Sequence, residues 1–476
     1  MAFPQVIKLN VTGARGARGP RGLASGPLGA GSVTAEEISD ISLDQAAILE
    51  KIGGLNAADL AVGLATKVAF PKNNKVALLG DSITKNGIDT SEPNELRNSN
   101  RGNTFWVPFL TRQKFVSPQS LNFGVSGETS GQIAARVDDV VNSGAGTSVV
   151  IAGTNDIGAN STATCQANLA TIYAALAAAN TLIIALPILP RTLTGESNYS
   201  FPQAVNEWIR DQAKNYPGFK FVDPFLFGDP YSLTYSPRTD YTYDGLHPFA
   251  IGARYIAKPI ADYLNTLVPE SGPMVRSVTD YFNSSNPRGC LNINPLLGGN
   301  SGTPGGIGDI ADGYIVSANA NGGNVDSLVV TCSKSTSTLF GMVNQRIVVS
   351  GTATGGFDTN VILSSIVDHT LLASGDVIEL LADIEVVGGT IGISGVSAYF
   401  FATQSGVAKF SYDGYAVVSD DFTVDGFTGT FRTPPMTLTA NPSASGIGIK
   451  ISLKNTGTTR SCDVRINNIA LRKIVS

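Results

Sequence analysis

Ser82 is the residue whose type and setting first suggest covalent chemistry. It follows Gly80 and Asp81 directly after the apolar run VALL. A serine hydroxyl attacks only when a base removes its proton and an acceptor orients that base. His247 is the only histidine in the first 368 residues, so it is the base if Ser82 has a histidine base within its own domain. The segment YDGLHP also supplies Asp244, three positions before His247.

Two loops further along the chain carry small and polar residues suited to oxyanion binding. Gly127 ends the segment that follows SLNF, and Asn155 lies in GTND after SVVIA. Both loops, like the one that holds Ser82, are predicted at the carboxyl edge of one parallel sheet, where ligands bind in such folds. Taken singly, each loop could be an ordinary turn. The combination of these loops, in one order along the chain, favours a catalytic site over a set of ordinary turns.

The acidic residues near these loops have different predicted roles. Asp240 competes with Asp244 as the partner of His247, and the spacing to the histidine favours Asp244. We expect Asp81 and Asp156 to orient their loops without a direct chemical step. Thr84 stands where a Gly-x-Ser-x-Gly elbow would have its second glycine, which argues against the α/β-hydrolase scaffold.

Alternating elements between residues 71 and 270 must position these side chains. Short apolar runs predict buried strands, and the stretches between them predict helices, which indicates an α/β domain with a parallel sheet. The predicted strands are KVALL, SLNFG, SVVIAG, TLIIALPIL and FKFVDPF, and the predicted helices include GQIAARVDDVV, Cys165 to Ala179 and FPQAVNEWIRDQAKNY.

The segments GDSIT, VSGET, GTND and DGLHP, in this order, resemble the four sequence blocks of the SGNH (GDSL-like) hydrolases over residues 75–268. The resemblance implies a flavodoxin-like three-layer fold with esterase, lipase or sugar deacetylase activity and no metal or other cofactor. It implies Ser82 as nucleophile, His247 as base and Asp244 as its partner. The implied oxyanion hole consists of the Ser82 and Gly127 N–H groups and the Asn155 side chain.

Composition excludes some function classes for the 476-residue chain. A formal charge of −5 and a pI near 5.2 give no general reason for nucleic-acid binding. No run of 18 apolar residues predicts a membrane span, and the first residues lack the apolar segment of a signal peptide, so neither membrane insertion nor Sec export is expected. The four cysteines match no zinc spacing, and we expect free thiols and no transition metal.

Residues 1–70 have a repetitive character. GARGARGPRG places glycine at every third position, as in collagen, although a flexible basic linker is an alternative. Ile41, Ile48, Leu55 and Val62 fall seven apart, as in a coiled-coil seam that Gly53 and Gly54 interrupt. We therefore predict a collagen-like and helical stalk that assembles as a homotrimer.

Residues 280–476 change to glycine, serine, threonine and valine with strict apolar alternation. Alternation in VIELLADIEV and IGIKISL predicts strands with one buried face, and several such strands make a β-sandwich. We expect the boundary between Val268 and Asn294. In the hydrolase-like region, Trp106 is predicted to be a core residue rather than a substrate platform.

The N-terminal and C-terminal regions also resemble parts of bacteriophage tail fibre or tailspike proteins. The segments that carry this resemblance are GARGARGPRG, SVTAEEISD, INPLLGGNSG, RTPPMTL and VRINNIALRK. The resemblance implies that the protein is a trimer. It also implies that residues 1–70 attach this trimer to other tail proteins of a virion. It implies a C-terminal jelly-roll similar to carbohydrate-binding modules and an esterase that removes O-acetyl groups from a capsule or O-antigen polysaccharide at the bacterial host surface.

Three other functions compete with deacetylation. A receptor-binding adhesin with a weakly active or inactive hydrolase-like domain is the alternative, but Ser82, Asn155, Asp244 and His247 are all intact. A lipase would need an apolar lid or groove, and the polar insert at residues 85–103 offers none. A glycosidase needs two placed carboxylates, and the sequence selects no such pair.

Overall fold

The computed structural model describes residues 71–474 apart from 90–92, 193–195, 233, 270–271, 304–306, 322, 338–339, 355–357, 418, 421 and 423–424. Residues Phe70–Ser476 form one compact unit. The predicted collagen-like and helical stalk lies outside the described residues. None of the described helices is long and apolar enough to cross a membrane.

The elements of the described residues follow in chain order. The helices are α1 Ser82–Lys85, α2 Asn103–Leu110, α3 Ser130–Ala134, α4 Val137–Asn142, α5 Thr162–Ala178, α6 Glu196–Asp211 and α7 Ala250–Leu267. The strands are β1 Val76–Gly80, β2 Ile88–Asp89, β3 Glu95–Ser99, β4 Asn122–Gly124, β5 Thr147–Ile151, β6 Leu182–Ala185, β7 Phe219–Phe221, β8 Ser301–Thr303, β9 Ile307–Gly308, β10 Ile310–Asn321, β11 Leu328–Thr336, β12 Val343–Thr352, β13 Asp358–Ile366, β14 Val377–Ile391, β15 Ile393–Gln404, β16 Val407–Tyr415, β17 Phe427–Arg432, β18 Met436–Thr437, β19 Ala444–Leu453 and β20 Thr459–Lys473.

Five of the described strands form a parallel sheet in the order β4-β1-β5-β6-β7. This is the flavodoxin-like order, and its topological switch point lies between β1 and β5. Strands β1, β5 and β6 are buried at every residue, as continuous apolar runs in a covered parallel sheet should be. The predicted parallel α/β sheet is therefore confirmed.

One predicted helix is divided in two. GQIAARVDDVV was expected to form one helix, but the structure ends α3 at Ala134 and begins α4 at Val137. Arg136 lies at the break, and its guanidinium donates to the backbone carbonyls of Phe123 at 2.6 Å and Gly80 at 2.9 Å. These bonds anchor the side chain at the carboxyl ends of β4 and β1.

Two further sheets follow the parallel domain, and most of their strand pairs are antiparallel. Among the described residues their orders are β2-β3-β16-β15-β19-β13-β10-β8 and β17-β14-β20-β12-β11-β9, with β18 beside β14. The residues predicted to share a buried face of β14 and β19 are all buried: Ile378, Leu380, Ala382, Ile384, Val386, Ile447, Ile449, Ile451 and Leu453. The separate all-β region is confirmed, while the jelly-roll topology and the likeness to carbohydrate-binding modules remain predictions.

The polar insert of the hydrolase-like domain belongs to the second sheet. Strand β3 pairs in parallel with β16, in the register Phe410 to Glu95 and Tyr412 to Arg97. Strand β2 then pairs with β3. No strand was predicted for these residues from sequence, because a strand whose partner lies about 300 positions away leaves no local pattern.

Trp106 on α2 packs where the two regions meet. The side chain is fully buried, and its indole N–H donates to the carbonyl of Asn100 at 2.6 Å. Its ring stacks on Phe422 with 6.0 Å between centroids and meets Phe427 edge-on at 5.5 Å. The prediction that Trp106 is a core residue is confirmed.

Candidate active site

Ser82 begins α1 directly beyond the carboxyl end of β1. Asp81 caps this helix, because its Oδ1 accepts the Ile83 N–H at 2.9 Å. Gly80 allows the close packing of this turn, since a Cβ there would lie 2.2 Å from both the Ile151 carbonyl oxygen and Thr84 Oγ1. The geometry holds the Ser82 loop tightly against β5.

A continuous hydrogen-bonded chain joins Ser82, His247 and Asp244. The Ser82 Oγ lies 2.8 Å from His247 Nε2, and His247 Nδ1 lies 2.6 Å from Asp244 Oδ2. Ser82 and His247 are separated by 165 positions in sequence, so the fold alone brings them together. Asp244, and not Asp240, is the carboxylate that contacts the His247 ring. This agrees with the prediction from its spacing to His247. This arrangement can transfer the hydroxyl proton to the imidazole.

The segment around His247 is held as a tight turn. Asp244 Oδ1 accepts the backbone N–H groups of Leu246 at 3.0 Å and His247 at 2.7 Å. Tyr243 donates its N–H to the carbonyl of His247 at 3.1 Å. Asn86 Nδ2, just beyond α1, donates to the carbonyl of Pro248 at 3.1 Å and so ties this turn to the Ser82 helix.

Asp244 is held in its ionised form by these contacts. Burial acts to raise its pKa, but hydrogen bonds from the His247 ring and from the backbone N–H groups of His247 and Leu246 outweigh burial and hold the pKa of Asp244 below its ordinary value. A carboxylate in this position fixes the imidazole tautomer with Nδ1 protonated, which leaves Nε2 free to accept the Ser82 proton.

Gly127 and Asn155 lie in adjoining loops. Gly127 follows β4 and has a φ of 80°, a conformation that glycine adopts without strain. Asn155 follows β5, and its Nδ2 donates to the carbonyl of Glu128, the neighbour of Gly127, at 2.9 Å. The structure therefore places both predicted oxyanion donors beyond strands that flank β1.

Asp156 and Asp81 organise the loops on either side of Ser82. Asp156 accepts the Ser130 N–H and hydroxyl, both at 2.7 Å, and the Asn160 amide at 2.8 Å. Asp81 is fully buried, and burial raises its pKa to about 6 despite the hydrogen bond from Ile83 and the nearby side chains of His247 and Arg191. Both side chains hold the geometry of their loops, as predicted from the sequence.

Sequence reasoning missed three arginines around the site. Arg136 binds Glu128 through Nε at 2.6 Å as well as the strand-end carbonyls described above. Arg191 donates to the carbonyl of Thr154 at 3.1 Å, beside Asn155. Arg101 lies 4.8 Å from the centroid of the Tyr243 ring, which in turn stacks on His247. None of the three stands in a recognisable motif, so only the folded arrangement identifies them.

The described residues include no group of three or more His, Cys, Asp or Glu side chains arranged to hold a metal ion. The four cysteines are free and buried. Burial raises the pKa of each one, so these thiols are not nucleophiles at neutral pH.

Comparison with known families agrees with this geometry. Residues 78–255 match the family model described as the GDSL-like Lipase/Acylhydrolase family. This stretch is a GDSL-like acylhydrolase domain. The match begins in β1 and ends within α7, so it includes Ser82, Gly127, Asn155, Asp244 and His247. A search of curated proteins found no match.

Three solved structures with similarity to the acylhydrolase domain each cover less than half of this chain. A GDSL-like lipase from Bacteroides thetaiotaomicron is 19% identical, covers 44% of this chain and 98% of its own, and has a TM-score of 0.33. A catalytic mutant of Axe2, an acetylxylan esterase from Geobacillus stearothermophilus, is 18% identical and covers 43% and 100%, with a TM-score of 0.33. A carbohydrate esterase family 3 protein from Talaromyces cellulolyticus is 22% identical and covers 40% and 97%, with a TM-score of 0.30.

Proposed function

We propose that this protein is a serine esterase that removes O-acetyl groups from a bacterial surface polysaccharide. The observation that carries the proposal is the hydrogen-bonded chain from Ser82 Oγ through His247 to Asp244, with distances of 2.8 Å and 2.6 Å. A serine hydroxyl that is bonded to a histidine and backed by a carboxylate is the arrangement that acyl transfer requires.

The reaction begins when Ser82 Oγ attacks the ester carbonyl carbon while His247 Nε2 takes the hydroxyl proton. Asp244 holds Nδ1–H and stabilises the imidazolium that forms. The tetrahedral intermediate then collapses, the bond between the carbonyl carbon and the sugar oxygen breaks, and His247 gives its proton to the departing sugar hydroxyl. The acetyl group remains on Ser82.

Water completes the cycle by hydrolysing the acetyl-Ser82 ester. His247 takes a proton from this water, the hydroxide attacks the acetyl carbon, and the proton passes to Ser82 Oγ as acetate leaves. The oxyanion of both tetrahedral intermediates is bound by the N–H groups of Ser82 and Gly127 and by Asn155 Nδ2. Asn155 Nδ2 has a second hydrogen atom beyond the one that the Glu128 carbonyl accepts, so one donor is available for this role.

An acetyl ester on a hydrophilic polymer suits the surroundings of Ser82. The His247 side chain is 22% exposed and Asp244 is 42% exposed, so the chain of catalytic groups opens to solvent. An enzyme for long acyl chains would need an apolar groove, whereas the adjoining insert forms polar strands that join another sheet. These features support a short acyl group on a large polar substrate.

A single incubation tests the proposal. Wild-type protein and the Ser82→Ala variant are incubated with O-acetylated bacterial polysaccharides, and acetyl signals are followed by NMR while polymer size is followed by gel filtration. We expect the acetyl signals to disappear only with wild type and the polymer size to remain constant. Equal deacetylation by Ser82→Ala would remove Ser82 as nucleophile, and shortened chains without free acetate would indicate a depolymerase.

We also propose that the esterase is carried on a phage tail as a homotrimer, with residues 1–70 attached to other tail proteins. The glycine triplets and the seven-residue spacing of Ile41, Ile48, Leu55 and Val62 support this proposal. Light scattering of the full chain tests it, and a monomer mass would contradict it.

A further inference from the structure

A second concave site lies on the same edge of the parallel sheet as the catalytic loops. It is a cavity of about 380 Å³. Its walls come from the segments that follow β6 and β7 and from one side of α6. Ligands bind at this edge in open α/β sheets, so the position is suited to substrate.

The α6 wall presents a stripe of polar side chains. Tyr199, Gln203 and Glu207 follow one another at intervals of four, which places them on one face of the helix. Asn206 lies on the neighbouring row, and its amide is fully engaged with Ile188 and with the Tyr235 hydroxyl, so it braces the cavity wall. Gln203 and Glu207 are exposed to the cavity and can bind hydroxyl groups.

Aromatic rings flank the polar stripe. Phe225 lines the cavity and is 73% exposed, and Tyr199 is 44% exposed. Tyr231, between two lining residues, is 90% exposed. A pyranose ring carries C–H groups on its faces and hydroxyl groups at its edge. It can therefore cover an aromatic face while its hydroxyls bond to neighbouring polar side chains.

The lining of the cavity carries more negative than positive charges. It carries the carboxylates of Glu207, Asp223 and Asp229 and the guanidinium of Arg210. Arg210 lies 3.7 Å from Asp223, so that pair is neutral as a unit, and the carboxylates of Glu207 and Asp229 remain. A negatively charged sugar would be repelled here. A neutral sugar would meet hydrogen-bond acceptors.

Short backbone connections link the cavity to the catalytic loops. Pro190 lines the cavity, and the next residue, Arg191, donates its N–H to the carbonyl of the lining residue Tyr235 at 2.9 Å. Thr192 then donates to the carbonyl of Gly245, next to Asp244, at 2.9 Å. Two residues of chain span at most about 7 Å. An oligosaccharide could therefore occupy the cavity and the catalytic site together.

We propose that this cavity is a glycan subsite that binds a neutral pyranose of the chain whose acetyl group is removed at Ser82. The inference rests on the proposed function and specifies its substrate class as a neutral acetylated glycan. The ring of Phe225 forms the platform, and Gln203 and Glu207 bind the sugar hydroxyls. The subsite contributes binding energy away from the ester, so it acts on KM for glycans and leaves small esters unaffected.

Kinetics with three substrates test the subsite. Wild type, Phe225→Ala, Glu207→Gln and the control Ile366→Ala are compared on p-nitrophenyl acetate, O-acetylated glucomannan oligosaccharides and O-acetylated alginate oligosaccharides. Ile366 is an exposed apolar residue on β13, outside the cavity lining. We expect faster deacetylation of the neutral glucomannan than of the acidic alginate. Phe225→Ala and Glu207→Gln should raise KM for glucomannan about tenfold, equivalent to about 1.4 kcal/mol of binding.

The same variants should match wild type on p-nitrophenyl acetate, and Ile366→Ala should match it throughout. An unchanged glucomannan KM in Phe225→Ala, or a preference for alginate, would overturn the subsite while the esterase stands. If wild type hydrolyses neither p-nitrophenyl acetate nor any glycan, the proposed function fails. Saturation-transfer NMR with glucomannan and the Ser82→Ala variant then still tests the subsite. Glucomannan signals that disappear when Phe225→Ala is added to Ser82→Ala support the subsite. Signals that persist in this double variant overturn the subsite.

Discussion

The guanidinium of Arg101 binds the carboxylate of Asp420 across 319 positions of sequence, with 2.7 Å between Nε and Oδ2. The Asp420 side chain is fully buried, and Arg101 also lies over the Tyr243 ring, which stacks on His247 with 5.6 Å between centroids. The all-β region is thus linked to the proposed catalytic residue His247 through two intermediate side chains, Arg101 and Tyr243.

Replacing Asp420 by Asn should lower the free energy of unfolding by about 2 kcal/mol, because the partly buried guanidinium of Arg101 loses the charged partner that it binds through two nitrogen atoms. Asp211→Asn is the matched control. It breaks the exposed pair with Lys214, and we expect less than about 1 kcal/mol. Urea denaturation of both variants measures the difference. Equal free energies of unfolding for the two variants would show that the Arg101–Asp420 pair contributes no more to stability than a surface ion pair does.

Asp81 should make stability depend on pH in a characteristic direction. Burial raises its pKa from 3.8 to about 6, so the folded chain binds a proton that the unfolded chain releases between these values. Its contribution to stability is therefore fully present below about pH 4 and is lost as pH rises through about 6. The loss is about 3 kcal/mol. Urea titrations from pH 4 to 7 give the free energy of unfolding at each pH, and Asp81→Asn should remove this part of its pH dependence. Parallel curves of this free energy against pH for wild type and Asp81→Asn would exclude a contribution from Asp81.

Asn155 should act on the transition state more than on substrate binding. Replacing it by alanine removes one oxyanion donor, which typically lowers kcat by about 10²- to 10³-fold with little change in KM. Steady-state kinetics on p-nitrophenyl acetate measure both constants. Turnover close to that of wild type would remove Asn155 from the oxyanion hole.

Gly80 should tolerate no side chain. A Cβ there would lie 2.2 Å from the Ile151 carbonyl oxygen, a backbone atom fixed in β5, so Gly80→Ala should cost about 3 kcal/mol or prevent folding. Gly144→Ala is the control. This glycine has a φ of 68° and no neighbour within 4 Å of a Cβ, so only backbone strain of about 1 kcal/mol is expected. Thermal unfolding compares them, and similar midpoints would contradict the packing argument.

The all-β region should fold alone if it begins early enough. Val275 and Cys290 pack with Ala470 in one buried cluster, and Leu291 donates its N–H to the carbonyl of Leu471 at 2.8 Å. A fragment of residues 272–476 should therefore be folded and more stable than one of residues 294–476. Circular dichroism during heating tests this. A longer fragment that melts no higher than the shorter one would place the boundary after Asn294.

The positions of the candidate catalytic groups could be predicted from sequence because their signals are local or scarce. Ser82 and Asn155 each follow a buried apolar run, and His247 had no competing histidine in its domain. The predicted strands came from the same apolar runs.

The contacts of Arg101, Arg136 and Arg191 could not be predicted in this way. Each depends on a carbonyl, carboxylate or ring that the fold brings from elsewhere in the chain. The break between α3 and α4 has a similar origin, since the bonds that hold Arg136 there reach the ends of β1 and β4.

Strand β3 lies in the acylhydrolase part of the sequence but pairs with β16 of the all-β region, and this has a consequence for inheritance. A genetic exchange near residue 270 that supplied a new C-terminal region would separate Glu95–Ser99 from its partner β16. Strand β3 would lose its partner, and the sheet that contains β16 would lose the strand at its edge. Both would then expose unpaired backbone N–H and C=O groups, which promotes aggregation. Exchange of residues 88–103 together with the C-terminal region should therefore reduce aggregation in chimaeras, so descent should couple two segments that lie far apart in the gene.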